Sequence, residues 1–185
     1  ELGGSLSSGS QGADISAIPA LAIKQTEILR DGAAAQYGSD AIAGVINFQL
    51  NDAAEGFTLE ARTGEFAEGD GGMSQIMGNI GLPIGDDGFL NITGSWMEQD
   101  ATSRSTQRTD ATNLIANGNA AQKANVASPY AQVWGGPEYL DNWNIFFNSG
   151  IEVSDSMEVY AFGNYGSRET LGGFYFRNPN SRSGV

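Results

Sequence analysis

Two acidic pairs, Glu65 with Glu68 and Asp86 with Asp87, are the residues here whose type and spacing could serve acid–base chemistry or calcium binding. A calcium loop needs oxygen donors at fixed positions over twelve residues, and that pattern is missing. Acidic residues in turns are far more often simply solvated. The stretch Gly32-Ala33-Ala34-Ala35-Gln36-Tyr37-Gly38 can be stretched toward a phosphate loop. It lacks the Lys and the Ser or Thr that must follow the second Gly. The chain has no Cys and no His, which excludes a Ser-His-Asp triad, a Cys-His pair, a thiolate zinc site and imidazole ligands. The sequence therefore predicts no catalytic residue, no metal, no cofactor and no enzyme. Tyr130, Trp134, Tyr139 and Trp143 cluster in sequence and could stack on a sugar or an aromatic chelate, although loop packing explains them as well. Tyr130, Trp134 and Tyr139 stand as the ligand-binding candidates.

The elements that would position such residues follow from composition. The chain has 185 residues, 22 acidic and 9 basic, for a formal charge of −13. Phosphates would be repelled by that surface, so nucleic acid is excluded as a partner. A helix gripping anionic lipid through Lys and Arg is excluded on the same ground. The 26 Gly, with Asn, Ser, Thr and Gln between short apolar stretches, belong to many strands and turns. Without Cys there is no disulfide framework from which to read a compartment. Residues 1–12 lack the basic and apolar regions of a signal peptide. No run approaches the roughly 18 apolar residues of a membrane helix, so a membrane could be crossed only by a barrel.

Residues 1–52 read as one block. A Gly/Ser stretch over 3–12 predicts a loop, 22–29 a strand, Arg30-Asp31-Gly32 a turn, 33–37 a short helix stopped by Gly38, and 44–50 a second strand. Such a small α+β fragment cannot bury a core alone.

Residues 53–185 read differently. Phe57, Leu59, Ala61 and Thr63 alternate with Thr58, Glu60, Arg62 and Gly64. Ile76, Gly78, Ile80 and Leu82 alternate with Gln75, Met77 and Asn79, and Leu90, Ile92, Gly94 and Trp96 with Asn91, Thr93 and Ser95. Trp143, Ile145, Phe147, Ser149, Ile151 and Val153 oppose Asn144, Asn148 and Glu152. A fifth segment, 157–167, is less clean because Tyr160 and Phe162 fall on its polar face. Period two over about ten residues is the pattern of a transmembrane barrel strand. A soluble antiparallel sheet with one wet face has the same period. The connections add parity: tight turns at 83–88 and 154–156 alternate with a short connection at 65–72 and a long one at 100–142. Short periplasmic turns and longer extracellular loops alternate in this way. Phe57, Trp96 and Trp143 near segment ends suit interfacial girdles. The fold expected is mainly β: a small α+β fragment over 1–52, which the resemblance described next implies is a partial plug, then about five antiparallel strands over 53–185, by the same resemblance those of an incomplete transmembrane β-barrel.

One run of residues is far more specific. Ile18-Pro19, Ile23 and Thr26-Glu27-Ile28-Leu29-Arg30-Asp31-Gly32-Ala33-Ala34-Ala35-Gln36-Tyr37-Gly38-Ser39-Asp40-Ala41-Ile42-Ala43-Gly44-Val45-Ile46-Asn47 closely resembles the end of the plug domain of TonB-dependent outer-membrane receptors. Asp31 and Ala43 are mild departures, each standing where Gly is common. The signature residues are Glu27, Arg30, Gly32, Tyr37, Gly38, Ser39, Asp40, Gly44 and Asn47. Gly38 and Gly44 permit backbone angles or close packing that a Cβ would block, and Ser39 or Asp40 can cap the turn after Tyr37. The resemblance implies ion pairs from Glu27 and Arg30 to the barrel wall, although each signature residue could equally serve the plug fold alone.

The resemblance also implies an importer in the outer membrane. TonB and the inner-membrane energising complex would be its partners, together with outer-membrane lipid and an extracellular small ligand such as a siderophore, cobalamin, haem or an oligosaccharide. A polar lumen face of Glu60, Arg62, Asn79, Asn91, Asn144 and Asn148 suits a hydrophilic cargo. A passive barrel (porin or translocator) explains the alternation without the plug motif. A soluble carbohydrate-binding sheet or β-rich hydrolase predicts a self-contained domain. The family's barrels close with about 22 strands, so the chain is expected to be a fragment, lacking the TonB-contacting segment.

Overall fold

The computed structural model describes residues 3–7, 10–13, 15–30, 44–124, 126, 130–132, 134–173 and 178. The protein is mainly β. Strands β1 (Gly3–Ser7) and β2 (Ser10–Ala13) pair antiparallel, with a register irregularity between Ser5 and Ser7. The loop expected over 3–12 is thus corrected to a hairpin. Gly and Ser signal a turn by composition, but a ladder is built from backbone N–H and C=O groups, which these residues supply like any others.

Two 3-10 turns follow, Ile15–Ala17 and Ala20–Ala22. The second is closed by the Ala22 amide donating to the Pro19 carbonyl at 2.9 Å. This turn takes Ala22 out of the strand, so β3 runs Ile23–Leu29 and pairs antiparallel with β4, Val45–Leu50. Glu27 lies opposite Asn47 and Leu29 opposite Val45. Gly44 has φ +127°, and a Cβ there would stand 2.6 Å from the Leu29 carbonyl oxygen. Only Gly fits that combination of angle and approach. The expected helix at 33–37 and the motif residues Gly32, Tyr37, Gly38, Ser39 and Asp40 lie outside the described residues.

Five strands then form one antiparallel sheet in the order β5-β6-β7-β8-β9. They are β5 (Phe57–Gly64), β6 (Met73–Ile84), β7 (Gly88–Gln99), β8 (Glu138–Ser154) and β9 (Met157–Leu171). The alternating segments appear as expected, but several strands outrun them. β6 includes Pro83, placed by the sequence in the turn. The Gly81 amide donates to the Gly56 carbonyl at 2.9 Å, just before β5 begins. Pro83 therefore lies beyond the end of β5, where its missing N–H leaves no ladder bond unmade. β8 starts at Glu138, five residues ahead of its apolar alternation, because backbone pairing continues where side-chain pattern stops.

The connection after β7 is also more ordered than its sequence suggests. It holds α1 (Thr109–Asn117) and α2 (Ala120–Ala124). Ala111 and Leu114, three residues apart, are buried against Ala131, with Val126 packed alongside. Asp110 in the first turn suits the helix dipole, and the Gly118 amide closes the last turn on the Leu114 carbonyl at 2.8 Å.

The chain packs as two compact units. The first comprises Glu1–Arg62, Gln75–Trp96 and Trp143–Ser167, and the second Thr63–Ser74, Met97–Asn142 and Arg168–Val185. In the first, the buried face of the sheet carries polar residues beside Met77 and Phe146, while large apolar residues stand exposed on the other. Asn79, Asn91 and Thr93 are buried, Thr93 completely. Ile76, Ile80, Leu82, Ile84, Ile145 and Phe147, on the opposite face, are exposed at 37% or more.

Candidate functional site

The buried polar face of the sheet is where the chain leaving β4 is seated. Asn79 Nδ2 donates to Asn91 Oδ1 at 2.6 Å and to Thr93 Oγ1 at 2.8 Å. Asn79 Oδ1 accepts from Asn51 Nδ2 at 3.3 Å, and Asn91 Nδ2 donates to the Ala53 carbonyl at 3.3 Å. From β8, Asn148 Nδ2 donates to the Asn51 carbonyl at 3.0 Å, and Asn144 Nδ2 donates to the Ala17 carbonyl at 2.7 Å. Asn144, Asn148, Asn91 and Asn51 thus hold backbone groups of Ala17, Asn51 and Ala53, and Asn79 with Thr93 braces them from the sheet. Amides suit this work because each carries both donors and acceptors, so chain ends without a strand partner are satisfied in a water-poor place. Gly81 adds clearance, since a Cβ there would come within 2.5 Å of the Ala53 carbonyl oxygen. Asn79, Asn91, Asn144 and Asn148 were expected on a lumen face; their role in gripping the preceding segment was not, and Asn51 was missed. A run of Asn at the centre of strands, beside a Gly, is the signal that could have found it.

Glu27 accepts from Asn47 Nδ2 at 2.9 Å, Gln49 Nε2 at 2.8 Å and Gln25 Nε2 at 3.3 Å, all on β3 and β4. The register that sets Glu27 opposite Asn47 brings these two signature residues together. Among the described residues no ion pair joins Glu27 or Arg30 to the sheet. Glu60 instead pairs with Arg62 at 2.7 Å along β5.

The second unit holds the ligand candidates. Trp134 is exposed, while its backbone is tied down by its amide donating to Ser105 Oγ at 2.7 Å and its carbonyl accepting from Arg104 at 2.8 Å. Tyr130 and Tyr139 are half-buried. In the first unit, Trp143 makes an edge contact with Tyr165 at 5.6 Å between ring centres. Glu68, of the acidic pair, joins Asp70 around Arg104, with Arg104 Nη2 3.3 Å from Glu68 and 3.0 Å from Asp70 Oδ1. That acid is a loop clasp. No group of carboxylates that could hold a metal occurs among the described residues.

Hydrogen bonding from Arg104 holds the Asp70 carboxyl below its usual range. Arg108, helped by Asn178 and the Ala111 amide, takes Asp110 down to about 2. A carboxylate depressed in the fold contributes stability above its unfolded pKa of about 4 and loses it as pH falls through the folded value. The loop at 100–137 should therefore hold its order at pH 5 and loosen between about pH 4 and pH 2. Amide exchange in α1 across an acid titration reads this directly. Unchanged protection down to pH 2 would show that the clasps do not hold the loop.

The chain is thus mainly β, with an open five-stranded antiparallel sheet that exposes apolar side chains on one face and seats the preceding segment on the asparagines of the other. Residues 3–45 match the family model for the TonB-dependent Receptor Plug Domain, in agreement with the resemblance carried by the signature residues. No curated protein and no solved structure matches the chain.

Proposed function

We propose that this chain belongs to an energised importer of the outer membrane, in which β5–β9 are wall strands facing lipid and residues 1–52 are plug. The observation that carries the reading is the exposed apolar face of the sheet, with the end of the preceding segment seated on the asparagines of the opposite face. From Trp143 to Val153 the outward residues of β8 are Trp, Ile, Phe, Ser, Ile and Val. At about 3.4 Å per residue and a tilt near 45°, that run spans roughly 25 Å of membrane height. An apolar band of about this height is what such barrels present to lipid. The cargo would be a scarce polar ligand, and TonB with its inner-membrane complex would supply the energy. The chain would carry out no chemistry on the ligand and need no cofactor.

The test begins with Ile80→Arg in the full-length protein. Against lipid the substitution should cost about 2–4 kcal/mol near the midplane, and deplete the folded protein from outer-membrane fractions. At a water-facing site it would change stability by no more than about 0.5 kcal/mol, and that result would favour the soluble sheet. Transport is tested by uptake of labelled ferric siderophore, cobalamin, haem and oligosaccharide, with and without TonB. Uptake indifferent to TonB would favour a passive barrel.

A further inference from the structure

Asn51 uses every polar group it has, and divides them between two bodies. Toward the sheet, its Nδ2 donates to Asn79 Oδ1 at 3.3 Å and its carbonyl accepts from Asn148 Nδ2 at 3.0 Å. Toward the 3-10 turn, its amide donates to the Ala22 carbonyl at 2.8 Å and its Nδ2 reaches the Leu21 carbonyl at 3.4 Å. Its Oδ1 accepts from the Ala53 amide at 3.1 Å, which fixes the rotamer that makes both sets possible. The turn and Asn51 sit at the open end of the β3–β4 pair, where Ile23 faces Leu50. Beside them Lys24 Nζ meets Asp52 at 2.7 Å on the exposed side.

We propose that Asn51 is a two-sided latch that makes opening of the β3–β4 mouth and release of the chain from the sheet a single event. An antiparallel pair whose two ends lie together opens from that end one ladder bond at a time, so whatever closes the mouth governs the whole pair. Asn51 closes it, and the sheet holds Asn51 in place. Displacing the chain from Asn148 and Asn79 swings the Asn51 amide away from Ala22. Parting Ala22 from Asn51 frees the side chain that reaches Asn79. The proposal rests on reading these residues as plug end and wall, and makes Asn51 the point at which plug rearrangement and detachment are coupled.

The test is amide hydrogen exchange on the full-length protein in detergent micelles. Asn148→Ala removes a donor on the sheet and touches no bond of β3 or β4. It should nevertheless speed exchange of the β3–β4 ladder amides at least tenfold. Asn51→Ala, which keeps the backbone bonds and removes both side-chain arms, should do the same, and serves if Asn148→Ala does not fold. Lys24→Ala, which loosens only the exposed rim, should stay within about twofold. Faster exchange confined to 51–53, with β3–β4 unchanged in both Asn variants, would overturn the latch. Exclusion of the protein from the outer membrane would instead overturn the importer reading and leave the exchange result standing.

Discussion

Asn79→Leu should destabilise the folded protein by about 2–6 kcal/mol, although the new side chain is apolar and close in volume. The loss comes from what stays behind. Asn91 Oδ1 and Asn51 Nδ2 each lose a partner in a region where Asn91 and Asn79 are at most 7% exposed. A buried polar group stranded in this way costs about 1–3 kcal/mol. Thr93, with no exposure at all, loses the amide that donates to its hydroxyl. Thermal unfolding of the full-length protein in detergent measures the effect. A melting temperature unchanged by Asn79→Leu would mean that water, not the asparagine network, satisfies this face. Ser at the same position is the informative companion, since it should recover part of the loss through its one donor.

Gly81→Ala is the second large effect, and it acts by volume instead of by polarity. A Cβ at this position would lie 2.5 Å from the Ala53 carbonyl oxygen, 2.7 Å from the Glu55 amide and 2.8 Å from the Glu55 carbonyl oxygen. All three are backbone atoms, so no side chain can swing aside and residues 53–55 must lift from the sheet. Overpacking of this kind costs about 1–3 kcal/mol. Lifting the chain also strains the Gly81 to Gly56 bond and the Asn91 contact with Ala53. Gly94→Ala is the control, because nothing lies within 4 Å of its added carbon, and it should stay within about 0.5 kcal/mol. Equal effects from the two substitutions would remove the close approach of 53–55 as the cause.

What the sequence displayed, and what it concealed, divides along a physical line. Period two in Ile76, Ile80 and Leu82, or in Ile145 and Phe147, is carried by side-chain type, and every one of those segments is a strand. The hairpin of β1 and β2 and the first residues of β8 are held by backbone ladders that composition does not record. The helix α1 turns on a small local core, Ala111 with Leu114, inside a stretch otherwise read as polar loop. The asparagine seat was half legible. Its members were visible as polar residues on alternating strands. Their partners were not, because the bonds join residues 28 positions apart from Asn51 to Asn79 and 127 apart from Ala17 to Asn144. Glu27 shows the converse: its charge was legible in the signature, but the three amides that donate to it were not, because strand register brings them together.

If the chain belongs to an outer-membrane importer as proposed, alternation also bears on how it would reach that membrane. A translocon retains a segment as a helix only when about 20 successive residues are predominantly apolar. Interleaving Ile80 and Leu82 with Asn79 and Gly81 halves the apolar density, and no described helix is long and apolar enough to cross a membrane. During export the chain would present itself as polar, and pass the inner bilayer without being held there. Its apolar surface comes into being only when strands pair and sort their side chains to two sides. On the importer reading, the sequence would carry a membrane address that stays unreadable until the sheet has formed.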